Sequence, residues 1–183
     1  MLLTSLVIAK GLDQRVDLPL ISSSNNNFPN CRLGVGVVRN SIDQYNYQTL
    51  NIGWYANWGV TLPPVANLGY YPILGVNQNT INNTYLPTYK INHTLNNSPG
   101  GLGPIVQAHP GQTWIVGNEI DRVGQNATLP DMYAQVYHDA YEFIKGIDPS
   151  AKIAIGSVVE VTPLRLQYLD MVLAAYRVKF GAS

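Results

Sequence analysis

A chain of 183 residues and 20.1 kDa, 46% hydrophobic and only 12% charged, is long enough to bury one core and too apolar to be disordered. Its 11 basic and 11 acidic residues cancel to a formal charge of zero, which removes the footprint of a nucleic-acid binder and favours neutral polar partners. Cys31 stands alone, so there is no intrachain disulfide and no thiolate metal site. His93, His109 and His138 lack ligand spacing and are expected at the surface or in loops, and no cofactor or metal is expected.

The chain opens on an apolar run from Met1 to Ala9 that is too short to span a bilayer. It reads either as the remnant of a signal-peptide apolar region, which would make the protein extracellular or secreted, or as a strand. No membrane partner is expected. The polar run Ser22 to Asn27 has no periodicity and reads as a linker, so residues 1–30 are an N-terminal apolar segment plus a Ser/Asn-rich linker. The folded domain is expected over 31–183.

Five apolar strand candidates come next, over 33–38, 50–55, 70–76, 113–117 and 152–157. The intervening segments can mostly hold helices. One is predicted from Pro130 to Lys145, with Thr128 as its N-cap, an apolar face of Tyr133, Val136, Tyr137, Ala140 and Ile144, and Gly146 as its stop. Another starts at Thr162-Pro163 and carries Leu166, Leu169, Val172, Leu173 and Tyr176 on its buried stripe, with Gly181 just past its end. Alternating strands and helices predict an α/β fold with a parallel sheet. Five βα units fit a complete open sheet by length, whereas a (β/α)8 barrel takes about 250 residues.

The residues at the strand ends favour the barrel. The run Trp114-Ile115-Val116-Gly117 ends in Asn118 and Glu119, at the carboxyl end of a strand, where α/β folds bind ligands. Glu119 is a candidate general acid there, or else a helix cap or a partner of Arg122. The second strand runs into Trp54, Tyr55, Asn57 and Trp58, and the third into Asn77. Aromatic faces and amides at one sheet edge suit the apolar faces and hydroxyl rims of sugars, although any one of the aromatic rings could equally be core. The rival is a dinucleotide loop at Gly34-Val35-Gly36, but its glycines lie inside the apolar run and there is no third glycine behind them.

The Asn118-Glu119 pair resembles the end of the fourth strand in the catalytic (β/α)8 barrel of clan A glycoside hydrolases. More narrowly, Gly53 to Gly59, Tyr71 to Gly75 and Gly117 to Glu119, in this order, are similar to the secreted β-glucan hydrolases first associated with alkali-sensitive cell-wall linkages. The resemblance implies a partial TIM barrel, about the first five βα units. It makes Glu119 the acid/base, Asn118 its partner on a sugar hydroxyl, and Trp54, Tyr55, Asn57, Trp58 and Asn77 substrate contacts. The partner would be an oligo- or polysaccharide. A retaining hydrolase also needs a second carboxylate about 5 to 5.5 Å from the first. Glu160 and Asp121 are the nearby acids; Glu160 more naturally lines the rim or precedes the Thr162 cap. The nucleophile is therefore expected to be missing from this chain, which reads as the N-terminal part of a longer enzyme or, alternatively, as a non-catalytic carbohydrate-binding module. Sequons at Asn82, Asn92, Asn96 and Asn126 mark the stretch from Asn77 to Gly103 as a long exposed loop.

Overall fold

The computed structural model describes residues 30–38, 42–47, 49, 51–60, 65 and 68–181. Of the apolar segment and linker expected over 1–30, residues 1–29 lie outside these, and Asn30 already belongs to the first strand. Two three-stranded parallel sheets form the framework: β1 (Asn30–Gly36), β2 (Ile52–Ala56) and β3 (Gly69–Tyr70) in one, β4 (Ile73–Leu74), β7 (Thr113–Val116) and β8 (Lys152–Ile155) in the other. Only Tyr71 and Pro72 separate β3 from β4, so the third expected strand is present but broken. Proline has no N–H for the ladder, and the chain changes partners there. Tyr71 N–H still donates to Tyr55 O at 3.0 Å on one side, and Pro72 O accepts from Ile115 N–H at 2.9 Å on the other. The strands do not close into a barrel among the described residues; β1 pairs only with β2, and β8 only with β7.

Every one of these pairs is parallel, so within each sheet the carboxyl ends of the strands share one edge, and the chain passes from one sheet to the other through Tyr71 and Pro72. Side-chain alternation then sorts the sheet into two faces. Leu74, Trp114 and Val116 are buried against α1 (Leu102–Ala108), α2 (Pro130–Ile147) and α3 (Pro163–Phe180). Ile115 and Ala154, one residue out of phase, are only half-buried. A smaller core gathers Val37, Ile42, Ile52, Tyr55 and Tyr70.

The stretch from Asn77 to Gly103 is not a long loop. It begins with an antiparallel hairpin, β5 (Val76–Ile81) and β6 (Thr84–Ile91), whose two-residue turn puts Asn82 and Asn83 at φ 49° and 62°. Asparagine tolerates that left-handed pair, which matches the twist of a hairpin. α1 comes next, before β7. Buried Gln78 locks the hairpin in place: its Nε2 donates to Leu86 O at 2.7 Å and its Oε1 accepts Leu129 N–H at 2.8 Å.

That last bond also corrects the cap of α2. Leu129, not Thr128, is the N-cap residue, and Pro130 takes the first helical position. The Thr128 hydroxyl is buried and turned toward the carbonyls of Ile120 and Asn126, each at 3.3 Å. The helix also runs through Gly146 to Ile147, since a glycine at an ordinary helical φ weakens a helix without ending it. Of its expected apolar face, Tyr133, Val136, Ala140 and Ile144 are fully buried and Tyr137 packs at the margin.

α3 begins as expected, with the Thr162 hydroxyl accepting Arg165 N–H at 3.4 Å, and ends at Gly181 with φ 83°. Its stripe is narrower than expected. Leu169 and Val172 are buried and Tyr176 packs beside them, but Leu166 and Leu173 stay exposed. His138 is half-buried on a helix rather than fully exposed or in a loop. It lies on α2 with its ring stacked on Phe180 at 3.7 Å, and its Nδ1 is 3.1 Å from Tyr176 Oη.

Two outcomes are expected in solution. Gln78→Leu leaves Leu86 O and Leu129 N–H without their partner and should cost about 1 to 3 kcal/mol, read as a lower urea midpoint. Burial pushes the hydroxyls of Tyr70, Tyr89, Tyr133, Tyr137 and Tyr168 above the ordinary tyrosine value, Tyr137 to about 12. A raised folded value means that the unfolded chain ionises first. Stability should therefore hold until about pH 10, the free tyrosine value, and fall as pH rises above it. Urea titrations at stepped pH with tyrosinate absorbance check this; a urea midpoint unchanged well above pH 10 would refute it.

Candidate active site

The last strand residue of β7, Val116, hands over to a tight turn. Gly117 adopts φ 90°, and a Cβ there would stand 2.6 Å from Ile120 Cγ2, so the position requires glycine. Glu119 is also left-handed, at φ 48°, a conformation that costs a non-glycine residue roughly 1 to 2 kcal/mol. Neighbouring groups hold it there. Asn118 N–H donates to Asn126 Oδ1 at 2.8 Å and Asn118 O accepts Asn126 N–H at 3.3 Å. From the end of β8, Ser157 Oγ accepts Glu119 N–H at 3.1 Å and donates to Asn118 Oδ1 at 3.4 Å, while Ser157 O accepts Ile120 N–H at 3.0 Å.

The Glu119 carboxylate pairs with Arg122 Nη1 at 3.0 Å; the glutamate side chain is 21% exposed and the arginine 53%. Of the bland alternatives, pairing with Arg122 is therefore real. Capping is not, because the next helix begins only at Pro130. Asp121 is occupied elsewhere: its carboxylate is 5% exposed, pairs with Arg165 of α3 and accepts Val159 N–H at 3.1 Å. Glu160 is exposed in the turn into α3, where its carbonyl accepts Thr162 N–H at 2.9 Å.

The aromatic block expected past the second strand divides, because Trp54 and Tyr55 lie within β2 and only Asn57 and Trp58 follow it. Trp54 is half-buried, with Gly34 and Gly69 as its register partners on either side and Tyr71 edge-on at 5.5 Å. A Cβ on Gly34 would fall 2.0 Å from the Trp54 indole, and one on Gly36 would fall 2.8 Å from Trp58. The glycines of the supposed dinucleotide loop are thus seats for two indoles. Trp58 is left-handed at φ 55° and 40% exposed at the sheet edge. Tyr55 does not join it: alternation turns its ring to the other face, where it is 1% exposed in the smaller core. Asn57 is half-buried, its Oδ1 accepting Tyr70 O–H at 2.5 Å and Gly59 N–H at 3.2 Å. Asn77 is half-buried on β5, opposite Lys90, just past the end of β4.

Asn57 and Trp58 thus lie just past the carboxyl end of β2 in one parallel sheet, Asn118 and Glu119 just past that of β7 in the other, and Asn77 on β5 shortly after β4. Sequence reasoning missed Ser157 and Asn126. A signal for Ser157 was present: Ile115-Val116-Gly117-Asn118 and Ala154-Ile155-Gly156-Ser157 are in register as strands, each leaving through glycine into a polar residue. Asn126 gave none, since its contact depends on how the loop folds back.

No family model matches the sequence, and no curated protein matches it. The fold is similar to parts of solved glucanases. One is a GH128 subgroup II endo-β-1,3-glucanase from Pseudomonas viridiflava, at 21% identity and TM-score 0.46, covering 72% of this chain and 49% of that one. Another is a GH128 subgroup III curdlan-specific exo-β-1,3-glucanase from Blastomyces gilchristii in complex with glucose, at 19% identity and TM-score 0.49, covering 78% and 54%. This chain spans about half the length of either. At this level of similarity the likeness assigns no residue a role.

Ser157→Ala should remove the acceptor of Glu119 N–H and cost about 1 kcal/mol. Hydrogen exchange at the Glu119 amide should accelerate more than exchange in α2, whereas a uniform acceleration would mean that Ser157 does not hold the turn.

Proposed function

We propose that this chain is a glycoside hydrolase-like domain that acts on a β-linked glucan or related polysaccharide, with Glu119 as general acid/base. The observation that carries the reading is the setting of Glu119. Its carboxylate stands just past β7, the middle strand of its sheet, on a backbone held left-handed by Ser157 and Asn118's partner Asn126, and Trp58 is exposed just past β2 of the other parallel sheet. A carboxylate there, carrying its proton, would give it to the glycosidic oxygen as the bond breaks, and would take a proton from water in the second step. Asn118 would hold a sugar hydroxyl, and Trp58 would offer its ring to a sugar face, with Trp54, Asn57 and Asn77 as further contacts. The resemblance of the three sequence blocks to the alkali-sensitive-linkage type of secreted β-glucan hydrolase supports the same reading, including a secreted location and an incomplete (β/α)8 barrel.

The nucleophile lies outside the residues around Glu119. Asp121 is locked to Arg165 and Val159, and the polar groups that reach the Asn118-Glu119 turn are Asn126, Ser157 and Arg122 rather than a second carboxylate. That same shortage favours a second reading, a module that binds carbohydrate without cleaving it.

Titration of this chain with β-1,3- and β-1,4-linked gluco-oligosaccharides, monitored by NMR, separates the two. Both readings expect shifts at Trp58 and Asn118 and weaker binding by Trp58→Ala. In a protein that also supplies the second carboxylate, Glu119→Gln should lower kcat by about 10²- to 10⁴-fold with binding retained. Hydrolysis indifferent to Glu119→Gln would remove the acid/base assignment, and the absence of any saccharide binding would remove both readings.

A further inference from the structure

The fold makes the four sequons unequal. Asn126 gives its Oδ1 to Asn118 N–H at 2.8 Å, at the base of the Glu119 turn, and the Thr128 that completes its sequon is 4% exposed. Asn96 is half-buried; its Oδ1 accepts Ser98 N–H at 3.1 Å, and a Cβ on Gly101 would fall 2.0 Å from that same atom. Asn92 is exposed, but its Nδ2, the atom that would carry a sugar, is 3.3 Å from where a Cβ on Gly75 would stand, so it lies against the backbone just past β4. Asn82 is placed differently. With Asn83 it makes the left-handed turn of the β5–β6 hairpin, and Asn82, Asn83 and Thr84 are all exposed. Among the described residues neither the Asn82 carboxamide nor the Thr84 hydroxyl makes a hydrogen bond.

We propose that Asn82 is an N-glycosylation site that takes an oligosaccharide from a lipid-pyrophosphate donor in a secretory compartment. The proposal rests on the secreted location put forward above. In the transfer Asn82 Nδ2 bonds to the anomeric carbon of the donor sugar as the bond from that carbon to the pyrophosphate oxygen breaks. The lipid pyrophosphate leaves with the electron pair, the amide gives up one proton to a base, and nothing is oxidised or reduced. Transfer takes place on the entering chain, so the sequon attracts the sugar and the fold decides whether it can be carried. At Asn82 it can. The hairpin is anchored by Gln78, which accepts Leu129 N–H, and by Tyr89, which donates to Asp139 of α2. These anchors do not involve β1 or β8, the strands at which a (β/α)8 barrel would continue. Beside the turn Ile81 is 59% exposed, apolar surface that a bulky, hydrated group on the next residue would shield.

Tryptic cleavage separates the sites, because fragment 40–90 carries Asn82 as its one sequon, 91–122 carries Asn92 and Asn96, and 123–145 carries Asn126. The 183-residue chain, secreted from yeast behind a cleavable signal, is released from its glycans by an amidase in heavy-oxygen water, and each fragment is weighed. Labelled aspartate is expected at position 82 in most copies of fragment 40–90 and in few copies of 123–145. Asn82→Gln should abolish the label on 40–90; Thr84→Ala should do the same with the turn asparagine kept, and Thr84→Ser should retain it. An unlabelled 40–90 in the secreted, folded protein would overturn the site, as would label that survives Thr84→Ala. Label on 123–145 equal to that on 40–90 would overturn the ranking by fold. The host supplies the secretory route, so failure at Asn82 bears on this site alone and leaves the secreted location and the Glu119 reading standing.

Discussion

A single buried phenol underlies the geometry of the candidate site. Tyr133, fully enclosed on α2, donates its O–H to Val116 O at 2.5 Å and accepts Gly156 N–H at 2.7 Å. These backbone groups belong to the last residue of β7 and the first residue past β8, where the ladder gives out. Left alone, each would be a buried polar group without a partner, at about 1 to 3 kcal/mol apiece. One hydroxyl serves both, and it can do so only because the strands exit through glycine. A Cβ on Gly156 would meet Val116 O at 2.5 Å and Gly117 O at 2.8 Å. Helix α2 therefore sets the spacing of the two strand ends. That spacing brings Ser157 under the amide of Glu119.

The same dependence on small residues operates on the first two strands. Gly34 and Gly36 leave β1 without side chains on the face where Trp54 and Trp58 lie, so the indoles rest against backbone. Taken locally, Gly-Val-Gly suggests a loop that admits a phosphate. Taken with its register partner, it is a strand made thin for a neighbour. The distinction depends on pairing, and single-strand patterns do not carry it.

This is the general pattern of what was legible in the sequence. Short β-branched and aromatic runs such as Thr113 to Val116 form strands because local propensity and burial agree, and the α2 and α3 stripes arise from helical periodicity. What escaped depended on distant contacts. Leu129 takes the N-cap position of α2 without a side-chain cap, its N–H accepted by Gln78 on a strand far away in sequence, while Thr128 is turned inward. The hairpin was hidden by composition: Asn82-Asn83 is good two-residue turn chemistry, but in an Asn-rich stretch it read as loop. Tyr55 is a different kind of error. Adjacent strand residues face opposite ways, so Trp54 and Tyr55 could not both have lined one platform, and alternation alone was enough to exclude one of them.

Two acids two residues apart, Glu119 and Asp121, show how the fold sorts structure from chemistry. Asp121 is almost fully buried, with Arg165 and the Val159 amide filling its carboxylate. Removing Arg165, itself one-third exposed, would leave this nearly buried charge without its cation, so the group is committed to joining the β7 turn to α3. Glu119 keeps a partially open carboxylate and a partner, Arg122, that is more than half exposed. A pair of that kind contributes about 0 to 1 kcal/mol, which a bound ligand can offset by displacing the arginine into water. The left-handed backbone under Glu119 points the same way, since strain of this kind persists only where the surroundings hold it, and such sites are often functional. Asp121, the more strongly held acid, therefore belongs to the fold, whereas Glu119 is held by its backbone and only loosely paired through its side chain, which is what the proposed acid/base role requires.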